Sequence, residues 1–127
     1  FLKEKAVELK KRLIDEAPEK LGVKVIVFRG GGSSEIMKDV AFQIRGEVKG
    51  KFLFVAGVDE GAKCQLQVMI SDELVAEGLD ASKLIKSGAQ FIKGCGGGQP
   101  HYATAGGKDV NGLADAVNAI VEAAGLN

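Results

Sequence analysis

The 127-residue chain has no tryptophan, one tyrosine, one histidine, two prolines and two cysteines. Cys64 and Cys95 cannot build a disulfide framework, and with His101 they fall short of the four ligands of a structural zinc site. No apolar run approaches the roughly 20 residues of a membrane span, and no signal peptide opens the sequence. A cytoplasmic, reducing setting without a membrane is expected. Seventeen basic residues cancel seventeen acidic ones, which excludes a polybasic tail and leaves only a local patch as a source of charge recognition. Methionine is confined to Met37 and Met69, so the chain reads as a piece of something longer.

What is abundant is glycine, 18 of the 127 residues against a usual share of about 7%. Six glycines fall between Gly94 and Gly107, and three more form the run Gly30–Gly32. Hydrophobic residues at 46% and charged residues at 27% suit one folded domain with a real core.

The apolar pattern predicts a single α/β domain (with α+β character), a mixed β-sheet flanked by helices. Leu2, Ala6, Leu9 and Leu13 recur at 4-3-4 spacing on an otherwise charged helix that Pro18 ends. That spacing fits a packed surface helix or the end of a coiled-coil arm. Residues 1–17 are accordingly set apart from a globule over 20–127. VKVIVF (23–28) reads as a buried strand ended by the glycine run, with Ser33 or Ser34 capping a helix over 35–46. KFLFVAGV and CQLQVMI read as a hairpin turning at residues 59–62. Because the first two strands are joined through a helix, they are expected to be parallel. Ser71 is expected to cap a short helix, and Asp80 a second one over 81–92, weakened at Gly88 and with Leu84, Ile85 and Phe91 inward. Residues 94–109 read as a loop. Asp109 or Asn111 opens a last helix with Leu113, Val117, Ile120 and Ala124 on one face.

From Ala81 to Lys108 there is no acidic residue, whereas Lys83, Lys86, Lys93 and Lys108 are present. A glycine-rich, acid-free segment is an electropositive site whose backbone N–H groups can approach an anion closely. Lys86 and Lys93 are expected to flank one phosphate track, with His101 and Tyr102 stacking on an exposed base or ribose. A turn or packing role for GCGGG is the competing reading. The loop is neither a Walker loop nor a dinucleotide fingerprint, since the following Gly-Lys-Ser/Thr and the strand–helix context are missing. Cys95 and His101 have no nearby acid to orient them, and Asp59 and Glu60 lie in a turn, so no active site assembles. Cys64, on a strand, reads as core.

The run GGGQPHYATAGG, a glycine triplet followed by x-P-x-x-A-x-x-G-G, resembles the signature loop of the DHH-associated domain. That domain forms the C-terminal part of alanyl-tRNA synthetases and also accompanies DHH phosphoesterase cores. The order of strands and helices over residues 20–124 resembles the synthetase branch. The phosphoesterase branch more often carries histidine directly after the glycines, where this chain has Gln99. The synthetase pattern often has a basic and then an acidic residue flanking the proline, where this chain has Gln99 and His101. The resemblance implies a non-catalytic domain that grips tRNA at its outer corner and assists aminoacylation and editing elsewhere. Gly94, Gly96, Gly97, Gly98 and Gln99 would lie at that surface. It also implies a leading helix able to pair two copies, and ATP, magnesium and zinc only in other domains of the parent, with no cofactor here. The alternatives are the oligonucleotide-holding domain of a DHH phosphoesterase and a dimerisation module.

Overall fold

A computed structural model describes residues 8, 11–20, 22–48 and 50–125. Six strands form one sheet: β1 (Glu19–Lys20), β2 (Val23–Gly31), β3 (Phe52–Asp59), β4 (Cys64–Ile70), β5 (Cys95–Gly98) and β6 (Tyr102–Gly107). Their order across the sheet is β1-β2-β3-β4-β6-β5. Helix α1 (Ser34–Glu47) carries the chain from β2 to a parallel β3, with Val25 beside Leu53 and Val27 beside Val55. Every other pairing is antiparallel. Helices α2 (Asp72–Ala76) and α3 (Ala81–Ala89) follow β4, and α4 (Leu113–Ala123) follows β6.

Alternation along β3 divides the core in two. Leu53 and Val55 face α3 and α4, together with Leu66, Val68, Leu84, Ile85, Val117 and Ile120. Phe52, Phe54, Ala56 and Val58 face α1, together with Ile26, Met37, Val40 and Ile44. Both faces of β3 are thus covered, which is why its sequence is a continuous apolar run rather than an alternating one. Each large side chain fully buried here contributes about 1.5–3 kcal/mol. Cys64 lies in the first of these clusters, buried as expected, and burial pushes its thiol pKa up.

Helix-initiating residues act largely as their chemistry suggests. Ser33 caps α1 by accepting from the Ile36 N–H at 3.5 Å. Asp80 caps α3 by accepting from the Ser82 N–H at 2.9 Å. Asp109, accepting from the Asn111 N–H at 3.1 Å, instead caps a 3-10 turn over Val110–Gly112 that leads into α4, which has no side-chain cap of its own. Ser71 departs from expectation. It occupies the N-cap position of α2 without a side-chain cap bond, because its Oγ accepts instead from the Phe52 N–H at 3.2 Å.

Four further departures are instructive. Gly30 and Gly31 do not end β2 but pair with Val58 and Asp59. Helix α3 stops at Ala89 and tightens into a 3-10 turn over Gln90–Ile92. The tighter turn rotates Ile92 into the core and leaves Phe91 38% exposed. Gly88 does not merely weaken the helix, which gives way one residue later, but also permits a contact, since a Cβ there would lie 2.7 Å from the Ala116 carbonyl oxygen and 2.9 Å from Ile120. Lastly, the expected loop over 94–109 is mostly a hairpin, β5–β6, with β6 inside the sheet.

Residues 11–16 are helical, and Leu13, Ile14 and Ala17 pack against the α1 side of the core. Leu2, Ala6 and Leu9 of the expected seam lie outside the described residues. Among the described residues no helix is long and apolar enough to cross a membrane.

Candidate nucleic-acid interface

Glycine has little preference for strands, so packing must hold the β5–β6 hairpin. A Cβ on Gly94 would strike the Gly106 carbonyl oxygen, one on Gly96 the Thr104 carbonyl oxygen, and one on Gly98 that of Tyr102 at 2.6 Å. These three glycines let β5 lie against β6. Gly97 differs, because a Cβ there meets nothing within 4 Å. Three positions of the glycine cluster thus serve packing, the competing reading of the sequence, and Gly97 faces open space.

The hairpin turns at Pro100–His101. Gln99 and Tyr102 exchange both backbone bonds, at 2.8 and 3.3 Å. Such exchanges alternate along an antiparallel ladder, so Gly97 with Thr104 and Cys95 with Gly106 are the next bonded pairs. The N–H and C=O groups of Gly96 and Gly98 then point away from β6. Because β5 is the last strand of the sheet among the described residues, those groups lie along an edge that no other described strand pairs with. The turn is held from behind, where the Pro100 carbonyl accepts from the Ala81 N–H at 2.8 Å and the His101 carbonyl from the Ile70 N–H at 2.9 Å.

The expected cations differ in their placement. Lys93 sits in a left-handed conformation (φ 52°) one residue before Gly94. Lys83 and Lys86 are on the exposed side of α3, whose buried side packs under β5 and β6. Lys83 lies close to Asp80, one residue outside the acid-free window. The Ser82 hydroxyl bond, aided by the Lys83 charge, holds the Asp80 carboxyl below its usual range. Lys86 and Lys93 make no ion pair among the described residues.

Gln99 is exposed and His101 half-buried at the hairpin tip. Tyr102 is not held out as a free stacking ring. It packs on Phe42 with ring centroids 5.1 Å apart and planes tilted by 50°. Its hydroxyl donates to Gln67 Oε1 at 3.4 Å, and burial pushes its pKa up to about 12.

The residues that sequence reasoning missed adjoin Tyr102. On the α1 side of the sheet, Gln65 and Gln67 of β4 and Tyr102 and Thr104 of β6 form the floor of a cleft, and Ser34, Glu35 and Lys38 of α1 its wall. Gln67 is 1% exposed, and its Nε2 donates to the Ser34 carbonyl and to Gln65 Oε1, both at 2.8 Å. Two glutamines alternating with Cys64, Leu66 and Val68 were the available signal, a polar face on an otherwise apolar strand.

Chemically, the region offers backbone amides, ammonium groups and an aromatic pair, which bind and position. Among the described residues no hydrogen bond joins Cys95 to His101, and no group of three His, Cys, Asp or Glu side chains is placed to hold a metal ion.

A family model described as the DHHA1 domain matches residues 13–125. The chain belongs to the DHHA1 domain family. This DHHA1 domain is 48% identical to an alanine–tRNA ligase of Parabacteroides distasonis over 126 residues, 99% of the chain and 14% of that protein. It is 44% identical to an alanine–tRNA ligase of Porphyromonas gingivalis over 124 residues, 97% of the chain and again 14% of the relative. The chain thus spans about one seventh of these relatives. Among solved structures, the C-Ala domain of Aquifex aeolicus alanyl-tRNA synthetase superposes with a TM-score of 0.72 at 20% identity, covering 84% of this chain and 96% of that one. Thermus thermophilus RecJ superposes with a TM-score of 0.60 at 16% identity, covering 98% of this chain and 17% of RecJ. At such identities the superpositions show a shared fold, the mixed α/β domain expected from the sequence.

Proposed function

We propose that this DHHA1 domain binds tRNA in the cytoplasm, at the outer corner where the D and T loops meet, as the C-terminal part of an alanine–tRNA ligase. Aminoacylation and editing would take place in other domains, and the domain itself would carry no catalytic group or cofactor. The observation that carries this reading is the match of 99% of the chain, at 48% identity, to such a ligase. The likeness to RecJ extends to the fold alone, which leaves the phosphoesterase alternative with less support.

The free edge of β5 supplies the mechanism. The outward N–H groups of Gly96 and Gly98 donate to phosphate or sugar oxygens, while Lys86 and Lys93, with Lys83 partly offset by Asp80, supply positive charge. Such contacts fix position and carry little sequence information, and recognition of a folded corner is recognition of shape. Three lysine–phosphate contacts give a slope of log K against log salt of about −2 to −3. Binding by the domain alone is therefore weak, and linkage to other RNA-binding parts of the parent raises it. Pairing of two copies through residues 1–17 belongs to the same proposal, and sedimentation with and without those residues tests it.

The deciding experiment is fluorescence anisotropy with folded tRNA, competed by unstructured RNA of equal length. Preference for the folded RNA, reduced by Lys86→Glu and Lys93→Glu, supports the reading. Unchanged affinity in both variants with the fold intact overturns it.

A further inference from the structure

We propose that the cleft between α1 and the open face of β4 and β6 takes one unstacked guanine base of a bound RNA. The proposal rests on the RNA-binding reading above and adds a base-reading subsite on the sheet face opposite α3.

The cleft measures about 230 Å³. That is below the roughly 300–1,000 Å³ of pockets for drug-sized ligands and suits a single ring system. Its floor is preset. Gln67 spends its amide nitrogen on the Ser34 carbonyl and on Gln65 Oε1, so the Gln65 side chain is fixed through its oxygen and keeps its own NH₂ for another acceptor. Among the described residues four groups around the cleft have no hydrogen-bond or ion-pair partner: Gln65 Nε2, the Thr104 hydroxyl, the Glu35 carboxylate and the Lys38 ammonium. Beside them stands an aromatic surface, Tyr102 packed on a Phe42 ring that is 44% exposed. Polar groups of both signs next to aromatic rings are what proteins use to hold a splayed-out base by its edge and its face.

The polar set selects among bases. A carboxylate accepts only, and is best matched by two adjacent donors. Guanine presents them, with N1–H beside the exocyclic N2 amine, and O6 follows on the same edge as an acceptor. Lys38, one helical turn along from Glu35, and Gln65 Nε2 are the donors available to O6. Adenine, cytosine and uracil present no such pair of donors. A bare phosphate is disfavoured by the Glu35 charge, so the cleft and the free edge of β5 divide the work between base and backbone.

The test uses the full chain and three RNA pentamers: four uridines around a central guanosine, the same with inosine, which lacks the N2 amine, and all uridine. Binding is followed by ¹H–¹⁵N NMR. The guanosine pentamer is expected to shift the side-chain amides of Gln65 and Gln67 and the backbone amide of Thr104. Affinity should fall about tenfold with inosine, and similarly with Glu35→Gln. Lys38→Met, which removes one donor to O6 at an exposed helix position, provides a second variant and should weaken the guanosine and inosine pentamers more than all uridine. Equal affinity for all three pentamers, or shifts confined to residues 94–101, overturns the guanine site and leaves the RNA reading standing. Binding of folded tRNA without any cleft shift from the pentamers also overturns it. Absence of binding to pentamers and to folded tRNA overturns both.

Discussion

The Glu60 carboxylate, in the turn between β3 and β4, accepts a hydrogen bond of 2.9 Å from the backbone N–H of Ser34, 26 residues earlier. It sits at the start of α1 next to the Ser33 cap, where the helix presents unpaired N–H groups and favours negative charge. A residue that the sequence leaves as a solvated turn acid therefore fastens α1 to the β3–β4 hairpin.

The Glu60 pair has a pH signature. The bond from the Ser34 backbone is the main reason the Glu60 carboxyl is held below its ordinary range, with the Ser34 side chain and Lys63 contributing less. A lowered folded-state pKa means stability that is present above the unfolded pKa and is lost as pH falls through the folded one. Glu60→Gln should lower the melting temperature by a few degrees at neutral pH. The gap from the parent should close as pH drops below the ordinary carboxylate range. A gap of the same size at acid pH would show that the charge plays no part.

Tyr102 titrates alone, being the only tyrosine in a chain without tryptophan. Tyrosinate absorbance should rise with a midpoint near 12 rather than the ordinary 10.0. Here the folded state favours the protonated phenol, so the stabilisation is complete below the unfolded pKa and is lost as pH climbs through the folded one. Phe42→Ala uncovers the ring and should bring the midpoint back toward 10.0. No movement would mean that Phe42 does not shield the phenol from water.

Neighbouring glycines of β5 should behave oppositely. The methyl of Gly96→Ala meets the Thr104 carbonyl oxygen and the Cα of Ala105, backbone atoms that cannot step aside cheaply, so a loss of about 2–4 kcal/mol in urea unfolding is expected. Gly97→Ala points into open space and should stay within about 0.5 kcal/mol of the parent. Equal losses at both positions would contradict the register of the hairpin.

The parts of the fold legible in the sequence are those built on strong physical signals. Strands β2 to β4 announce themselves by β-branched and aromatic runs, α1 and α3 by spaced apolar residues and their caps, and α4 by its spaced apolar residues. The β5–β6 hairpin is silent because its pairing depends on the absence of side chains. Gly94, Gly96 and Gly98 permit backbone contact, and Ala103 and Ala105 are buried under α3, so none carries a strand-forming preference. Gly88 misleads in the same way, a poor helix residue by propensity that admits the Ala116 carbonyl. For the site, the acid-free window collects Lys83, Lys86 and Lys93 from the hairpin and the helix before it but stops one residue short of Asp80. The cleft escapes notice because its wall and floor come from segments 27 to 70 positions apart, which only the sheet order brings together.

That order also sets a schedule. Strand β4 finds its second neighbour in β6, with Cys64 reaching Gly107 across 43 positions. A ribosome adding about 5–20 residues per second takes about 2–9 s to supply that stretch. Meanwhile the β1–β4 portion can collapse around α1 with one edge of β4 still lacking its partner strand and the face that bears Leu66 and Val68 still uncovered. An uncapped edge of that kind invites pairing with another chain. For those seconds the greatest hazard to the protein lies in an edge that the finished fold no longer possesses.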